Sequence, residues 1–591
     1  MAKTHKKAVG ALLHHKGAAT FRVWAPFAQG VAVTGVFNNW AKLPLASEGD
    51  GYWSVEADKA EPGQEYKYVI TTQQGGELYK NDPRSLQVTT AAGNSVLVDD
   101  TFDWDTDTFT PPPVAQQVMY ELHIGTFNRP DPSAVGTFAD AKEKLDYLAS
   151  LGINMIELMP ITSMSMDRGW GYATQFIYAL ESLYGGRQEF MEFVKTAHSK
   201  GIGVIVDVVY NHIGPDTKDM WQFDGWNENN GGGIYFYNDW RAETPWGATR
   251  PDYGRPEVRQ YLLDNATMWL HDCHVDGLRL DSTIFLRNVK GRNDDPEHDL
   301  EAGWGLMQQI TSVAKKINSA AIVIAEDVGC NPYLTKPKTE GGAGFSAQWE
   351  VCLPYTLRNV LKAVDDRDRN LTGLCNELIR CYNGDAFQRV IYSDSHDSAA
   401  NGAARLNQEI SPTDPGNIFA RRRSLIATAI VLTAPGIPML FQGQEFMEDG
   451  SFNDWQGLDW DKATRFAGIL EAHKHLIALR KNQYNNSRGL SGQSVAILHL
   501  NEEAKMLAYH RWDQGGTGDD VIVIINFANH AQKDYWINFP RPGAWHVRFN
   551  SDWKGYSRDF KNTGADSIQV DGDRGMFTIG PYAVLILSQD K

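Results

Sequence analysis

Between residue 117 and about residue 450, stretches with helical periodicity alternate with short apolar runs. AKEKLDYLASLG precedes INMIELMP, EFMEFVKTAHSKG precedes IGVIVDVVYNH, RQYLLDNATMWLHDCH precedes VDGLRLD, and GLMQQITSVAKKI precedes AAIVIAED, with RVIYSDSHD and GIPMLFQGQE later. Apolar strands that follow amphipathic helices are typical of a parallel sheet covered on both faces. Repeated units in this number predict an α/β fold, either a (β/α)8 TIM barrel or a doubly wound sheet. No GxGxxG or Walker loop follows any of these runs, which disfavours a nucleotide-binding doubly wound sheet.

Both flanks of this region have the alternating pattern of β-strands. ATFRVWAP, VAVTGVF and YKYVITT lie before it, and VAILHL, MLAYHRW and VIVIINFAN lie after it. A stiff proline-rich spacer, DTDTFTPPP, separates the first flank from the central region. We therefore expect an N-terminal β-sandwich over residues 1–105, a barrel over 114–485 and a C-terminal β-sandwich over 486–591.

Composition and charge limit the class of partner. Hydrophobic residues make up 42% of the chain and charged residues 22%, which is typical of a soluble globular protein. The net charge of −17 repels phosphate backbones and anionic membranes, so no nucleic acid and no membrane partner is expected. A neutral substrate is not repelled. The five cysteines are sparse and contain no CxxC, which predicts free thiols and a cytoplasmic protein.

Polar side chains end four of the apolar runs. They are Asp207, Asn211 and His212 in the first, Arg279 and Asp281 in the second, Glu326 and Asp327 in the third, and His396 and Asp397 in the fourth. The C-terminal strand ends of a barrel lie on one face, so these side chains are expected to converge. Arg279 points to the same side as Asp281, two positions later, and can offset carboxylate repulsion. Two carboxyl groups with different pKa values are what glycoside hydrolysis requires, although any single strand-end aspartate could equally be a helix cap.

The same runs resemble a known family. DVVYNH (207–212), DGLRLD (276–281), AED (325–327) and SHD (395–397) are similar, in order and spacing, to the four signature regions of the alpha-amylase family of glycoside hydrolases. FRVWAP, VAVTGVFNNW and YKYVI resemble the glycogen-binding-type, carbohydrate-binding module that precedes isoamylases, branching enzymes and trehalohydrolases. The tail resembles the family's C-terminal β-domain, so the resemblance spans nearly the whole chain.

The resemblance implies a role for each matching residue. By this resemblance, Asp281 is the nucleophile that forms a covalent glycosyl-enzyme and Glu326 is the general acid/base. Asp397 is the carboxylate that holds the distorted sugar. The remaining matches surround that sugar, with Tyr172 stacking on it, His212 and His396 hydrogen-bonding it, Asp207 supporting the pair, and Arg279 keeping the nucleophile ionised. The implied outcome is retention of the α configuration, with a nucleophile to acid/base separation of about 5–5.5 Å.

No cofactor and no required metal are expected. Asn211 resembles a calcium ligand of some amylases, but the branch with this N-terminal module often lacks that metal. Two of the substrate-binding assignments have plainer alternatives, since His212 could be a core histidine and Tyr172 could pack a loop.

The motifs point to more than one member of the family. MYELHIGTF (119–127) resembles both branching enzymes and malto-oligosyltrehalose trehalohydrolases, and IAEDVGCNPYLTKPKTEGGAGFSAQWE resembles branching enzymes. YFYNDWRAETPWG and APGIPMLFQGQE resemble trehalohydrolases. We expect a 1,4-α-glucan branching-type transglycosylase acting on glycogen, starch or maltooligosaccharide. The alternatives are hydrolysis of α-glucan or of maltooligosyl-trehalose, and a non-catalytic glucan-binding protein with an inactive barrel.

Two departures from branching enzymes bear on transfer. Ser-Thr at 282–283 stands where branching enzymes usually have Ala-Val or Gly-Val, and Ser-Ala-Ala-Asn at 398–401 stands where they usually carry Glu-Val. Both positions are expected to border the acceptor side. Six aromatic residues are candidate sugar platforms or else packing residues: Phe37, Trp40 and Trp53 in the first flank, and Trp221, Trp226 and Trp240 after DVVYNH.

Overall fold

A closed barrel of eight parallel strands forms the centre of the computed structural model, which describes residues 8–14, 17–90, 92–105, 107–166, 168–214 and 219–591. In order around the barrel the strands are Met119–Leu122, Met155–Leu158, Gly203–Val208, Gly277–Leu280, Ile322–Ala325, Ala347–Trp349, Arg389–Ile391 and Ile437–Phe441. The first strand pairs with the last, which closes the ring. The predicted (β/α)8 barrel is confirmed.

Most side chains of the barrel strands are apolar, because both faces of the sheet are buried. One set of side chains fills the interior, including Met119, Met155, Ile205, Ile324, Val390 and Met439. Alternate neighbours such as Val204 and Val206 face outwards and pack with the surrounding helices.

Six longer helices cover the barrel: Gly186–Ser199, Pro256–Thr267, Glu301–Ile317, Cys352–Lys362, Ile418–Thr433 and Ala467–Arg480. Shorter helices are Ile124–Phe127, Phe138–Lys142, Leu145–Leu151, Thr283–Arg287, Leu371–Leu378, Leu406–Ile410 and Asp461–Arg465. The helix Ile418–Thr433 begins where the Asn417 side chain accepts hydrogen bonds from two first-turn N–H groups. Throughout the described ranges, the helices are too short or too polar to cross a bilayer.

Two excursions interrupt the barrel on the side where its strands end. An antiparallel pair, Thr162–Met164 and Thr174–Leu180, follows the second barrel strand, and Tyr172 lies in the segment that joins them. A long insertion follows the third strand and contains the short 3-10 helix Trp240–Ala242. Both excursions therefore build the walls around the barrel mouth.

The N-terminal domain consists of two antiparallel sheets. One has the order Gly10–His14, Ala18–Trp24, Tyr52–Asp58 and Ala46–Gly49; the other has Leu43–Pro44, Gly30–Gly35, Glu65–Thr71 and Glu77–Lys80, with Ser95–Val96 also paired to Glu65–Thr71. Phe37 is buried and stacks on Phe21 with ring centroids 5.1 Å apart. The half-buried Trp53 donates to the Ala25 carbonyl, whereas Trp40 is 46% exposed. Of the three aromatic candidates here, Trp40 presents the open ring.

The N-terminal domain packs on the insertion that follows the third barrel strand. Phe27 stacks on Trp226 with centroids 4.6 Å apart, and the Arg255 guanidinium lies 4.8 Å from the Trp226 ring centroid. Lys80 donates to the main-chain carbonyl of Trp221. Trp226 therefore packs between the domains, and the ring of Trp221 packs on Phe236 within the insertion, so both are packing residues rather than open sugar platforms.

The C-terminal domain is one antiparallel sheet of eight strands. Its order is Ser494–Asn501, Met506–Trp512, Val521–Asn526, Ala583–Ser588, Gly543–Asn550, Ser567–Asp571, Arg574–Ile579 and Gln532–Asn538. The sheet folds over so that side chains from both halves, such as Ile524 and Phe577, share one core. Val584 and Ile586 belong instead to the main core, on the side of the helix Ile418–Thr433. All five cysteines of the chain are free, as predicted.

Candidate active site

Arg279 is the centre of the predicted carboxylate cluster. It lies inside the fourth barrel strand, directly opposite Asp207 in the third, and its side chain is 1% exposed. Its Nη1 lies 2.5 Å from Asp207 Oδ2 and 3.3 Å from Asp281 Oδ1. Its Nη2 lies 3.9 Å from Glu326 Oε2, at the end of the neighbouring strand. The structure therefore brings three of the four sequence motifs together around one cation.

Glu326 is held by the backbone that follows Asp281. The N–H of Ser282 donates to Glu326 Oε2 at 2.7 Å, and Ser282 adopts a left-handed conformation with φ of 43°. Burial, together with the charges of Asp281 and Asp397, raises the pKa of Glu326 to about 7, against the opposing effects of Arg279 and the Ser282 N–H. Glu326 can therefore keep a proton near neutral pH, as a general acid must.

Asn211 fixes the Asp281 carboxylate from the opposite side. Its Nδ2 donates to the carbonyl oxygen and to Oδ2 of Asp281, each at 2.8 Å. Its Oδ1 lies 2.5 Å from His212 Nδ1. With Arg279 also in contact, the Asp281 side chain meets two donors, an arrangement that suits a negative charge and leaves the Asn211 amide fully used.

His212 is backed by an aromatic ring that sequence reasoning missed. Trp246 stacks on its imidazole, with centroids 4.6 Å apart and an interplanar angle of 18°. Burial lowers the pKa of His212, against the opposing charge of Asp281, so the ring is neutral at pH 7. Trp246 is 41% exposed and comes from the ETPWG segment of the insertion, whereas the predicted candidate Trp240 lies edge-on to His298.

His396 and Tyr172 form the other side of the cluster. Tyr172 donates to Asp207 Oδ2 at 2.7 Å, and its hydroxyl lies 3.1 Å from His396 Nε2. The two rings stack with centroids 5.3 Å apart. Tyr172 is therefore tied to two other predicted site residues, which goes beyond simple loop packing.

Glu121 contacts both the imidazole and the main-chain N–H of His396. Oε1 of Glu121 lies 2.5 Å from His396 Nδ1, and Oε2 accepts from the His396 N–H at 3.1 Å. Burial alone would lower the pKa of His396, but Asp397 and Glu121 raise it to about 9. His396 is therefore an imidazolium at neutral pH, whereas His212 is a neutral ring. The two histidines of the predicted pair thus carry different charges.

Asp397 opens towards solvent. Its side chain is 55% exposed, and Oδ1 lies 3.6 Å from His396 Nε2. It lines a cavity of about 210 Å³ together with Glu326, Trp349 and Tyr392. This cavity is the space next to Glu326 in which a sugar ring could be placed.

Two further residues contact Arg279 that the motifs did not indicate. Glu157, in the second barrel strand, places Oε1 3.9 Å from Arg279 Nε, and burial raises its pKa to about 8. The ring of Trp349, in the sixth strand, lies 4.2 Å from the Arg279 guanidinium carbon. A single acid inside the apolar run MIEL was the available indication for Glu157.

The two departures from the branching-enzyme pattern lie mostly away from the cavity. Thr283 is fully buried, and its hydroxyl donates to the main-chain oxygen of Glu326 at 2.9 Å. Ala399 and Ala400 are buried in an apolar cluster against which Tyr172 packs. The side chains of these three residues are enclosed, whereas Ser398 lines the cavity, and the position of both segments at the acceptor side stays a prediction.

Family models cover each part of the chain. The model described as alpha amylase, catalytic domain, matches residues 122–245 and 217–487. Carbohydrate-binding module 48, the isoamylase N-terminal domain, matches residues 9–85, and the alpha amylase C-terminal all-beta domain matches residues 497–590.

Curated relatives align over most of the chain. The 1,4-alpha-glucan branching enzyme GlgB 2 of Xanthomonas campestris pv. campestris is 30% identical over 611 residues, covering 97% of this chain and 81% of that protein. The 1,4-alpha-glucan branching enzyme GlgB of Corynebacterium glutamicum is 28% identical over 583 residues, covering 93% and 76%.

Solved structures share the fold. A putative alpha amylase from Salmonella typhimurium superposes with a TM-score of 0.75 at 22% identity, covering 99% of this chain and 100% of that one. A pullulanase from Anoxybacillus sp. LM18-11 superposes with a TM-score of 0.73 at 20% identity, covering 98% and 87%. Taken with the carboxylate cluster at the strand ends and the match of the catalytic-domain model, these likenesses establish that the chain belongs to the alpha-amylase family.

Proposed function

We propose that the chain is a retaining α-glucan enzyme that cleaves α-1,4 bonds and transfers the released segment to a 6-hydroxyl, as a 1,4-α-glucan branching-type transglycosylase. The observation that supports this chemistry is that the two carboxyl groups beside Arg279, those of Asp281 and Glu326, have different surroundings. Asp281 is bound by two donors, whereas burial leaves Glu326 with a pKa of about 7. Two relatives named as branching enzymes that align with over nine-tenths of the chain support the transfer step.

In the first step of this mechanism, Asp281 attacks the anomeric carbon and Glu326 gives its proton to the leaving glycosidic oxygen. A covalent glycosyl-enzyme forms and the reducing-end segment departs. In the second step, Glu326 removes the proton from the acceptor 6-hydroxyl, whose oxygen displaces Asp281 from the anomeric carbon. Two inversions give net retention of the α configuration.

The residues around this pair are proposed to hold the sugar. The imidazolium of His396 donates a hydrogen bond to a sugar hydroxyl, whereas the neutral ring of His212, whose Nδ1 proton is directed at Asn211 Oδ1, accepts one through Nε2. Tyr172 stacks on the face of the sugar. Asp397 holds the distorted ring. Asp207 supports the group through Arg279 and the Tyr172 hydroxyl, to both of which it is bonded.

The wider setting is proposed on the same grounds. The substrate is an α-glucan such as glycogen, starch or maltooligosaccharide, which is neutral and is not repelled by a net charge of −17. No cofactor or metal takes part, nucleic acid and membranes are not partners, and the cytoplasm is the compartment. The domain division 1–105, 114–485 and 486–591 is proposed with it.

Hydrolysis is the second candidate. The observation that favours it is Trp246, which stacks on His212 and belongs to the ETPWG segment that resembles trehalohydrolases. A non-catalytic glucan-binding protein is disfavoured because Asp281, Glu326 and Asp397 are all present at the barrel mouth.

Product analysis separates these candidates. The protein is incubated with amylose, and new α-1,6 linkages are counted by proton NMR while reducing ends are titrated in parallel, with Asp281→Asn as the blank. Branching predicts α-1,6 signals that exceed new reducing ends. Reducing sugar without α-1,6 signal would overturn branching in favour of hydrolysis, and free trehalose from maltooligosyl-trehalose would identify a trehalohydrolase.

A further inference from the structure

Two cysteines from different loops meet beside the candidate active site. Cys330 lies four positions after Glu326, and Cys352 begins the helix that follows the sixth barrel strand. They are 22 positions apart in the chain, yet their Sγ atoms are 3.6 Å apart. Both are half-buried, so small solutes can reach them. Cys330 also has a left-handed backbone with φ of 49°, which non-glycine residues rarely adopt.

The surroundings of the two thiols differ. Arg380 Nη1 lies 3.7 Å from Cys352 Sγ, so a guanidinium lies beside this sulfur. Cys330 Sγ lies 4.0 Å from Oε1 of Glu350, which also accepts from the Cys352 N–H at 3.0 Å. Burial and the Glu350 charge raise the pKa of Cys330 to about 12, so Cys330 keeps its proton beside a carboxylate that can accept it.

We propose that Cys330 and Cys352 are a peroxide-oxidised dithiol that closes to an intramolecular disulfide. The Cys352 thiolate attacks one oxygen of hydrogen peroxide, the O–O bond breaks, and Cys352 becomes a sulfenic acid. The other oxygen leaves as hydroxide and takes up the proton released by the Cys352 thiol, which gives the first water. The Cys330 sulfur then attacks the Cys352 sulfur as Glu350 takes the Cys330 proton. Glu350 passes this proton to the departing hydroxide, so the S–O bond breaks and water leaves. Two thiols and hydrogen peroxide thus give one disulfide and two waters.

The neighbouring side chains connect this pair to the cavity. Val328 and Val351, each within two positions of one cysteine, line the same cavity as Glu326 and Asp397. The sulfurs must approach by about 1.5 Å to reach a bond length of about 2.05 Å. That displacement moves the wall beside Glu326, and a misplacement of about 1 Å can cost about 100-fold in rate. We therefore expect the disulfide form to be at least about tenfold less active.

A shared divalent metal is the competing use of these side chains. Among the described residues, Cys330, Glu350 and Cys352 are the group whose donor atoms converge closely enough to hold an ion. Two arginines oppose a cation there, since Arg380 lies 3.7 Å from Cys352 Sγ and Arg389 lies 3.8 Å from Glu350. Their positive charges favour the redox chemistry over the metal.

The test is peptide mapping after treatment of the full-length protein with hydrogen peroxide. The parent and Cys381→Ser are expected to yield a peptide pair joined between Cys330 and Cys352, whereas Cys330→Ser and Cys352→Ser are not. Cys381 is exposed and is the matched control. The joined form is expected to lose activity at least about tenfold, the loss being reversed by dithiothreitol and absent in both serine variants.

Three outcomes would overturn the proposal. The first is that Cys381 is oxidised while no joined peptide forms. The second is a joined peptide with unchanged activity, which would remove the link to the cavity. The third is one equivalent of zinc bound by the parent, lost in both serine variants, and protecting the thiols from peroxide. Because the mass readout needs no glucan, it stays independent of the proposed transfer reaction.

Discussion

The backbone N–H of Ser282 donates to Oε2 of Glu326 at 2.7 Å, so the residue after Asp281 orients the carboxyl group proposed as the acid/base. Ser282 reaches this geometry through a left-handed conformation, immediately before the helix Thr283–Arg287. This helix is also anchored to the loop that carries Glu326, because Arg287 pairs with Asp327, the residue after Glu326. The loops that carry the two carboxyl groups therefore support each other, and a change at one is expected to be felt at the other.

Removal of either carboxyl group should abolish turnover. We expect Asp281→Asn and Glu326→Gln each to lower kcat on amylose by about 10⁴-fold or more, because each acts in both chemical steps. The measurement is initial rate by reducing-end and α-1,6 analysis. Asp294→Asn, at a side chain that is 72% exposed, is the control and should retain full activity. Parental rates in Asp281→Asn would contradict the covalent mechanism.

The pH profile should report the protonation of Glu326. Because the acid must carry a proton in the first step, kcat/KM is expected to fall as pH rises through about 7, the pKa of Glu326. Arg279→Met removes the cation that lowers this pKa, so the basic limb should move to higher pH while kcat falls. Arg292→Met, at an exposed ion pair, is the control. A basic limb that stays in place in Arg279→Met would count against the assignment.

Loss of Arg279 should also destabilise the fold. It would leave Asp207 and Glu326 buried without their cation, and breaking a buried pair in this way costs about 3–5 kcal/mol. Urea unfolding at pH 7 measures this change in the free energy of unfolding. An unchanged midpoint would mean that the carboxyl groups bind protons instead of remaining charged.

Glu445 should make the protein less stable as pH rises. Its Oε1 accepts from Tyr120 at 3.0 Å and Tyr147 at 2.8 Å, and burial raises its pKa to about 7 from an ordinary value of 4.5. The folded state therefore binds this proton more tightly than the unfolded state. The resulting stabilisation is complete below about pH 4.5 and is lost as pH rises through about 7, by on the order of 3 kcal/mol.

Glu445→Gln tests this linkage, since a glutamine oxygen can accept from both tyrosines at every pH. We expect the variant to flatten the fall in melting temperature between about pH 5 and pH 9. Glu503→Gln, at an exposed position, should keep the parental slope. Equal slopes in all three proteins would show that Glu445 does not titrate in this range.

Trp246 should matter more than its neighbour Trp240. Trp246 stacks on His212, and an aromatic pair of this kind contributes about 0.5–1.5 kcal/mol. Trp246→Ala is therefore expected to lower kcat/KM on amylose about 2- to 10-fold. Trp240→Ala, which removes a ring that is 52% exposed and contacts His298 edge-on, should stay near the parental value. Equal effects of the two variants would show that the stack on His212 gives Trp246 no special role.

The convergence of Arg279, Asp281, Glu326 and His396 could be predicted because each lies at the polar end of an apolar strand. Glu121 and Glu157 could not be predicted as parts of the site because they lie within the runs MYEL and MIEL. One acid among apolar residues does not show which way its side chain points. Only closure of the barrel, which pairs the first strand with the last, brings Glu121 to the loop that carries His396.

The sixth barrel strand could not be predicted for a different reason. Ala347–Trp349 is three residues long and lies in the glycine-rich stretch, so periodicity has too little length to indicate a strand. Its Trp349 could therefore not be placed against Arg279. The aromatic residues after DVVYNH were equally ambiguous, because a tryptophan that stacks on Phe27 and one that stacks on His212 have the same appearance in a sequence.

The Phe27–Trp226 stack has a consequence for building chimeras of this protein. The insertion that carries Trp226 also carries Trp246, the backing of His212, so one segment joins the first domain to the barrel mouth. Exchanging the first domain alone would leave the Trp226 face and the Asp224 carboxylate, which accepts from the Phe27 N–H at 2.9 Å, without partners. A chimera should therefore exchange the first domain together with this insertion. A chimera joined at the proline spacer alone would loosen the insertion that carries Trp246 at the barrel mouth.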